Sequence, residues 1–385
     1  MKAIKNKTIA IVGGGPGGLT LARLLQMRGA DVKVYERDSN RKVRVQGATL
    51  DLHHDSGLLA LENAGLMDAF KANYRPGADV MCITDKYANV LLKEYAGSEG
   101  EAFRPEIDRG PLRDILLDSL QDNTVVWGSQ FLNMVQTGNG WELSFKNGTT
   151  ATADMVIAAD GANSRIRPYI TSIKPFYTGY CAIEGAVYNS ATAIPKIHKI
   201  LNGGKIFALS DARTLIVASK GDGSAVFYCG FKAEEKWAAT SGINFTNNVE
   251  VKAWFANEFG GWTAWHELFE QAEPKFIVRP QYCMPPDQTW KSQANLTMLG
   301  DAAHLMPPYA GEGVNMAMLD ALELANCLTD PQFADTQTAI EHFEIHMRER
   351  ARETAQMTLQ QTDLMHSDNG LDSMLNFFGG TLNVQ

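Results

Sequence analysis

The chain lacks any apolar run approaching the roughly 20 residues that a membrane span requires, any block of basic residues, and any C-x-x-C pair. The first absence excludes a helical membrane anchor. The second, in a chain of net charge −9, excludes nucleic acid and anionic membranes as partners. The cysteines (Cys82, Cys181, Cys229, Cys283, Cys327) are scattered and odd in number, so neither a zinc site nor a disulfide frame is indicated. They read as small buried hydrophobes in a reducing compartment. The opening MKAIKNK is basic, but the apolar stretch behind it breaks at consecutive glycines, too early for a signal peptide. A cytoplasmic protein is expected. Internal repeats, low-complexity segments and any Ser-His-Asp-like triad are also missing. At 385 residues the chain suffices for about two domains.

What is present is concentrated first in Thr8 to Glu36. Ile9 to Val12 is a short apolar run of the kind buried in a parallel sheet. Gly13, Gly15 and Gly18 follow in G-x-G-x-x-G spacing, with Pro16 between them. Leu21, Leu24 and Leu25 then mark one helical face, Gly29 a helix end, and Val32 to Tyr35 a second strand closed by Glu36. Gly13 permits a tight turn, Gly15 lets backbone approach a pyrophosphate, and Gly18 lets helix and strand pack closely. The helix start offers free N–H groups and a positive dipole end to that anion. Glu36 is placed to accept from an adenosine ribose and would repel a 2′-phosphate. The site therefore suits FAD or NAD and not NADP. A tight βα turn without ligand is the bland alternative.

Farther along, Arg109 to Leu120 has helical spacing with Pro111 in its first turn. Arg109 and Arg113 either point together toward an anionic cofactor or are two solvated basic residues. Met155 to Ala159 is an apolar strand running into Asp160-Gly161, which places a carboxylate where open α/β sheets bind ligands. Between Ile173 and Lys232 alternating strands dominate and predict an antiparallel sheet with one exposed face. Leu296 to Leu299 is a last apolar strand. Gly300-Asp301 and a glycine-bearing loop then lead to a helix from about Val314, a second anion-binding element. Thr336 to about His366 reads as one long helix, with Ile340, Phe343, Met347 and Ala351 inward.

Three elements in order, Gly13 to Gly18 with Glu36, Asp160 to Arg167, and Gly300 to Asn315, resemble the para-hydroxybenzoate hydroxylase-like single-component flavoprotein monooxygenases. Asp160, Gly161, Ser164 and Arg167 fit that family's D-G-x-x-S-x-x-R pattern, and GDAAHLMPPYAGEGVN its last motif. The resemblance is closest to the tetracycline-inactivating flavin monooxygenases, the tetracycline destructases, through VYERD, TLDLH and the Gly300–Asn315 stretch. It implies an α/β fold: a Rossmann-like, GR2-type, split FAD-binding domain (residues 1–172 and 273–330), an inserted antiparallel β-sheet substrate domain (173–272), and a long C-terminal helix (331–385). It also implies that Glu36, Arg37, Asp51, Arg109, Asp160 and Asp301 contact FAD beside Gly13, Gly15, Pro16 and Gly18. Pro308, Gly311, Gly313, Val314 and Asn315 would line the flavin ring, and Arg44 would lie near a nicotinamide cofactor.

The implied activity is an FAD-dependent, NAD(P)H- and O2-consuming hydroxylation of a phenolic or enolic polycyclic small molecule, with tetracycline-type antibiotics the leading candidate. No side-chain catalyst is needed, because the cofactor carries the chemistry. With one glycine fingerprint, NADPH or NADH has to bind transiently over the FAD domain. Substrate would meet Glu184, Lys205, Phe227, Tyr309 and Leu371. Glu184 stands where the destructases carry glutamine, Lys205 where they carry arginine, Phe227 for a histidine and Leu371 for an aromatic. Glu184 and Lys205 either pair, hold a polar substrate, or lie on a solvated sheet face. His304 reads as structural rather than as a base, and Trp262, Trp265 and Phe269 as packing rather than a halogenase motif. A monomer is expected. The alternatives are a related FAD hydroxylase of another aromatic, an FAD oxidoreductase such as a prenyl-chain reductase, or a flavin-binding protein without turnover.

Overall fold

The computed structural model describes residues 4–43, 49–94 and 104–381. Its first layer is a parallel sheet ordered Leu296–Met298, Met155–Ala158, Thr8–Val12, Asp31–Tyr35, Val125–Val126. The strands Ile9 to Val12 and Met155 to Ala158 are entirely buried, as their apolar and β-branched composition requires of a sheet covered on both faces. Helices Pro16–Met27 and Gly313–Thr329 pack on it, and their contact permits little beyond glycine: a Cβ at Gly17 would sit 2.8 Å from the Ala317 carbonyl. Because the strands are parallel, the chain segments leaving Val12, Ala158 and Met298 emerge at one edge. The three sequence motifs are thereby brought side by side.

The second layer is a seven-stranded sheet ordered Ile277–Cys283, Phe176–Val187, Ala225–Lys232, Arg213–Ser219, Lys205–Ser210, Met81–Thr84, Val90–Glu94. It reaches beyond residues 173–272 at both ends. Lys205–Ser210 pairs in parallel with Met81–Thr84, a contact between distant segments that no local pattern announces. Ile277–Cys283 contains Pro280, tolerated because this strand forms the sheet's edge. One face is covered by helices Asn248–Glu258 and His266–Gln271, whose Phe255 and Phe269 stack 4.0 Å apart. Trp262 and Trp265 are wholly buried in that same core, so packing accounts for them.

Helix Thr336–Met365 spans both layers for 30 residues, started by the Asp335 side chain accepting from the Thr338 amide. A shorter helix, Gly370–Thr381, turns back over the uncovered face of the large sheet. All five cysteines are free thiols. Among the described residues, no helix is long and apolar enough to cross a membrane.

Candidate active site

The glycine turn is shaped by close approach. Gly13 has φ +114, and a Cβ there would overlap the Ala159 carbonyl. Gly15 caps helix Pro16–Met27 in an extended conformation, with nothing within 4 Å of where its Cβ would be. Pro16 takes the first helical position, where a missing N–H costs nothing. The helix start is thus open in front, and its first amides have no partners within the helix. Glu36 is buried and accepts from the amides of Gly14 (2.6 Å) and Asp38 (2.9 Å), fixing the turn against the second strand. Arg37 is exposed beside it, and Arg44 lies outside the described residues.

Asp160 ends the neighbouring strand. Its Oδ2 accepts from the Arg165 amide (2.8 Å), while Oδ1 is buried with no hydrogen-bond partner. Burial raises this carboxyl's pKa. Arg167 is also buried, and its guanidinium donates to the carbonyls of Ala302 (2.7 Å) and Asp301 (2.9 Å). That side chain ties the second motif to the third. Asp301, the first residue of helix Asp301–His304, remains exposed to solvent, although the protein around it raises its pKa by desolvation. His304 lies 2.6 Å from Asp320, which also takes the Gly300 amide and Arg350. It is a structural histidine, joining the motif loop to helix Gly313–Thr329, which Arg350 in turn ties to the long helix. Arg109 opens helix Arg109–Asp118, half-buried. Arg113 is instead tied to Asp38 at 3.0 Å and covers the Trp127 ring.

The third motif continues through Pro308–Ala310 and Gly311 into helix Gly313–Thr329. Asn315 is fully buried. Its Oδ1 accepts from the His53 amide (2.9 Å), and its Nδ2 donates to the Asp51 carbonyl (2.9 Å). The loop is thus stitched to strand Leu50–Asp51. A Cβ at Gly311 would lie 3.2 Å from the Asp51 carboxylate. Asp51 sits directly across a two-stranded ladder from Glu106, whose carboxylate is paired with Lys205. Burial pushes Asp51 up, but the His53 hydrogen bond and the Lys205 charge outweigh it and hold the carboxyl at about 2.

The open face of the large sheet presents Lys205, Phe207, Thr214, Ile216 and Tyr228 toward this loop and helix Gly370–Thr381. Leu371 and Tyr309 pack on it. Three sequence expectations change here. Glu184 and Lys205 neither meet each other nor stand free in solvent: on the open face Glu184 is buried and binds Arg279, and Lys205 is half-buried and binds Glu106. Phe227 is not a pocket residue. It is wholly buried on the helix-covered face, 4.9 Å from the Phe269 ring, because residues one apart in a strand face opposite ways. Arg279 and His366 were missed, since nothing local distinguishes a lone arginine in an edge strand or a lone histidine near a helix end.

His366 is fully buried. Its Nδ1 lies 2.8 Å from the Thr362 carbonyl, which only accepts, so Nδ1 carries the hydrogen. Nε2 is then an acceptor, facing the hydroxyls of Thr214 (3.3 Å) and Tyr309 (3.4 Å) over Gly230, where any side chain would collide with all three. Burial, aided by Lys232, holds His366 down at about 4 against the opposing effects of the Thr362 carbonyl and Asp363. A depressed histidine binds its proton later than the unfolded chain does. Stability is therefore untouched above pH 6.5 and falls as pH drops toward 4. The loss should reach about 3 kcal/mol at ~1.4 kcal/mol per pH unit. Denaturant titrations across that window should show a shallower pH slope for His366→Gln than for the wild type.

With an open helix start at Gly15, an orphaned acceptor on Asp160 and an accessible Asp301 on one sheet edge, the residues fit a dinucleotide of the FAD type. Comparison with known proteins agrees. The profile of the FAD binding domain family matches residues 6–358. Monooxygenase asqM of Emericella nidulans is 30% identical over 370 residues, covering 82% of this chain and 82% of asqM. Klebsiella pneumoniae HpxO, complexed with FAD and uric acid, has a TM-score of 0.77 at 21% identity over 95% of this chain and 91% of its own. Tetracycline destructase Tet(51) has a TM-score of 0.71 at 20% identity, covering 98% and 97% of the two chains. The chain belongs to the FAD binding domain family, and it is an FAD-dependent monooxygenase of the para-hydroxybenzoate hydroxylase-like kind.

Proposed function

We propose that the protein consumes NAD(P)H and O2 to hydroxylate a phenolic or enolic polycyclic small molecule, tetracycline-type antibiotics being the leading candidate. The observation that carries this is the Pro308–Asn315 loop, whose Gly313 comes near Asp301 at the parallel sheet's edge while its Tyr309 packs on the open face of the large sheet. FAD, when bound, supplies electron storage and oxygen activation. Gly13, Gly15, Pro16, Gly18, Glu36, Arg37, Arg109, Asp160 and Asp301 would hold its adenosine, pyrophosphate and ribityl parts. Asp51, Pro308, Gly311, Gly313, Val314 and Asn315 would border the ring, and the amides at the start of helix Gly313–Thr329 would favour negative charge there. Phe207, Ile216, Tyr309 and Leu371 would exclude water around a planar substrate. The uric acid bound by HpxO and the tetracyclines named for Tet(51) are both oxygenated ring systems, which this wall of apolar and hydroxyl groups suits. The domain bounds, a cytoplasmic location and a monomeric state belong to the same proposal.

The experiment is an oxygen-electrode and NADPH-oxidation screen of tetracyclines and other phenolics, with mass spectrometry for the gain of one oxygen atom. Ligand-stimulated turnover without oxygen uptake would assign a different reductase. Arg279 provides a finer test. Its guanidinium is held by Glu184, so Glu184→Gln should leave it available to an enolate oxygen. The substrate KM should fall about 3- to 10-fold, the worth of ~1 kcal/mol, with kcat little changed. An unaltered KM would place the pair away from the substrate.

A further inference from the structure

We propose that His53 is a fixed imidazolium set behind the flavin-edge loop, where its charge raises the readiness of the bound flavin to accept electrons. The inference rests on the reading above that Pro308 and Gly311 to Asn315 border the flavin ring. His53 Nε2 lies 3.1 Å from Asp51 Oδ2, and Nδ1 lies 3.5 Å from Glu312 Oε1. A neutral imidazole has one N–H, and an ionised carboxylate only accepts. Only the doubly protonated ring presents a hydrogen to each side. The ring is buried, and the residue's own amide is held by Asn315 in the first turn of helix Gly313–Thr329. Its backbone is thus fixed beside the loop, and the ring is held between the two carboxylates.

The wider surroundings give the charge its use. Asp51, Glu312 and, across the ladder, Glu106 place three carboxylates beside the loop, and Lys205 offsets one of them. Without a cation at position 53, two negative charges would stand uncompensated next to a ring that becomes anionic on reduction. Both carboxylates drive the proton onto His53 despite its burial and raise its pKa to about 9, so it stays charged throughout the neutral range.

The test measures the flavin midpoint potential of the holoenzyme in two variants chosen to move it in opposite directions. His53→Gln removes a positive charge and should shift the potential to more negative values. Glu312→Gln removes a negative charge at a partly exposed position and should shift it to more positive values. A local packing defect would move both the same way, so shifts of one sign, or no shift, would overturn the proposal. In parallel, NMR of histidine-labelled apoprotein should show His53 doubly protonated at neutral pH, and a neutral ring there would equally overturn it. Failure of the underlying reading looks different: wild-type protein that never acquires flavin absorbance leaves no potential to measure and removes both readings together.

Discussion

Arg167→Met should emerge from purification colourless and unstable. The guanidinium is the only described side chain that joins the Asp160 loop to the backbone of Asp301 and Ala302, and it does so in a buried setting. Methionine fills similar volume but leaves the buried Ala302 carbonyl and the half-buried Asp301 carbonyl without this donor. Hydrogen bonds to a charged group are worth about 1.5–3 kcal/mol each, so a loss of about 3–5 kcal/mol in denaturant titrations is expected. The FAD-to-protein ratio should fall toward zero, because two of the three cofactor elements lose their common register. Arg167→Lys should recover little, since a single ammonium cannot reproduce the planar fork. Normal flavin content in the methionine variant would show that the elements are aligned by the sheet alone.

Asp301→Ala makes the contrasting prediction: flavin is lost while the fold stays. The Asp301 side chain is exposed, and the structural bonds nearby come from its carbonyl and from His304 with Asp320. Stability should change by less than about 1 kcal/mol. FAD affinity should weaken about 10- to 100-fold, the worth of one or two charge-assisted hydrogen bonds to the ribityl chain. Fluorescence titration of apoprotein with FAD measures this directly. Unchanged affinity would remove Asp301 from the cofactor site.

These two residues also mark what the sequence discloses and what it hides. Arg167 stands out only through the resemblance to the family's motif, whereas Asp301 lies where a strand, a carboxylate and a helix start follow one another within a few residues, a local pattern. The Gly13–Glu36 unit is legible for the same reason. The substrate side is not, because strand parity decides it. Phe227 and Tyr228 are equally plausible in the sequence, yet one lies in the aromatic core and the other on the open face. The partners of Lys205 and Glu184 come from Glu106 and Arg279, distant segments whose approach depends on sheet register. The large sheet's extent was hidden likewise, since the parallel pairing of Lys205–Ser210 with Met81–Thr84 carries no turn signal. Hydrophobic periodicity, by contrast, located helix Thr336–Met365 nearly to the residue.

The order of strands in the cofactor-binding sheet bears on how the chain comes off the ribosome. Met155–Ala158 waits for its outer neighbour, Leu296–Met298, until the whole intervening layer has been synthesised. For that interval an apolar edge, Met155 to Ala158, stands unpaired in the nascent polypeptide. Chains truncated before Leu296 should therefore be chaperone clients and aggregate on release, and on the site proposed above, cofactor capture should wait until translation has passed the Gly313–Thr329 helix.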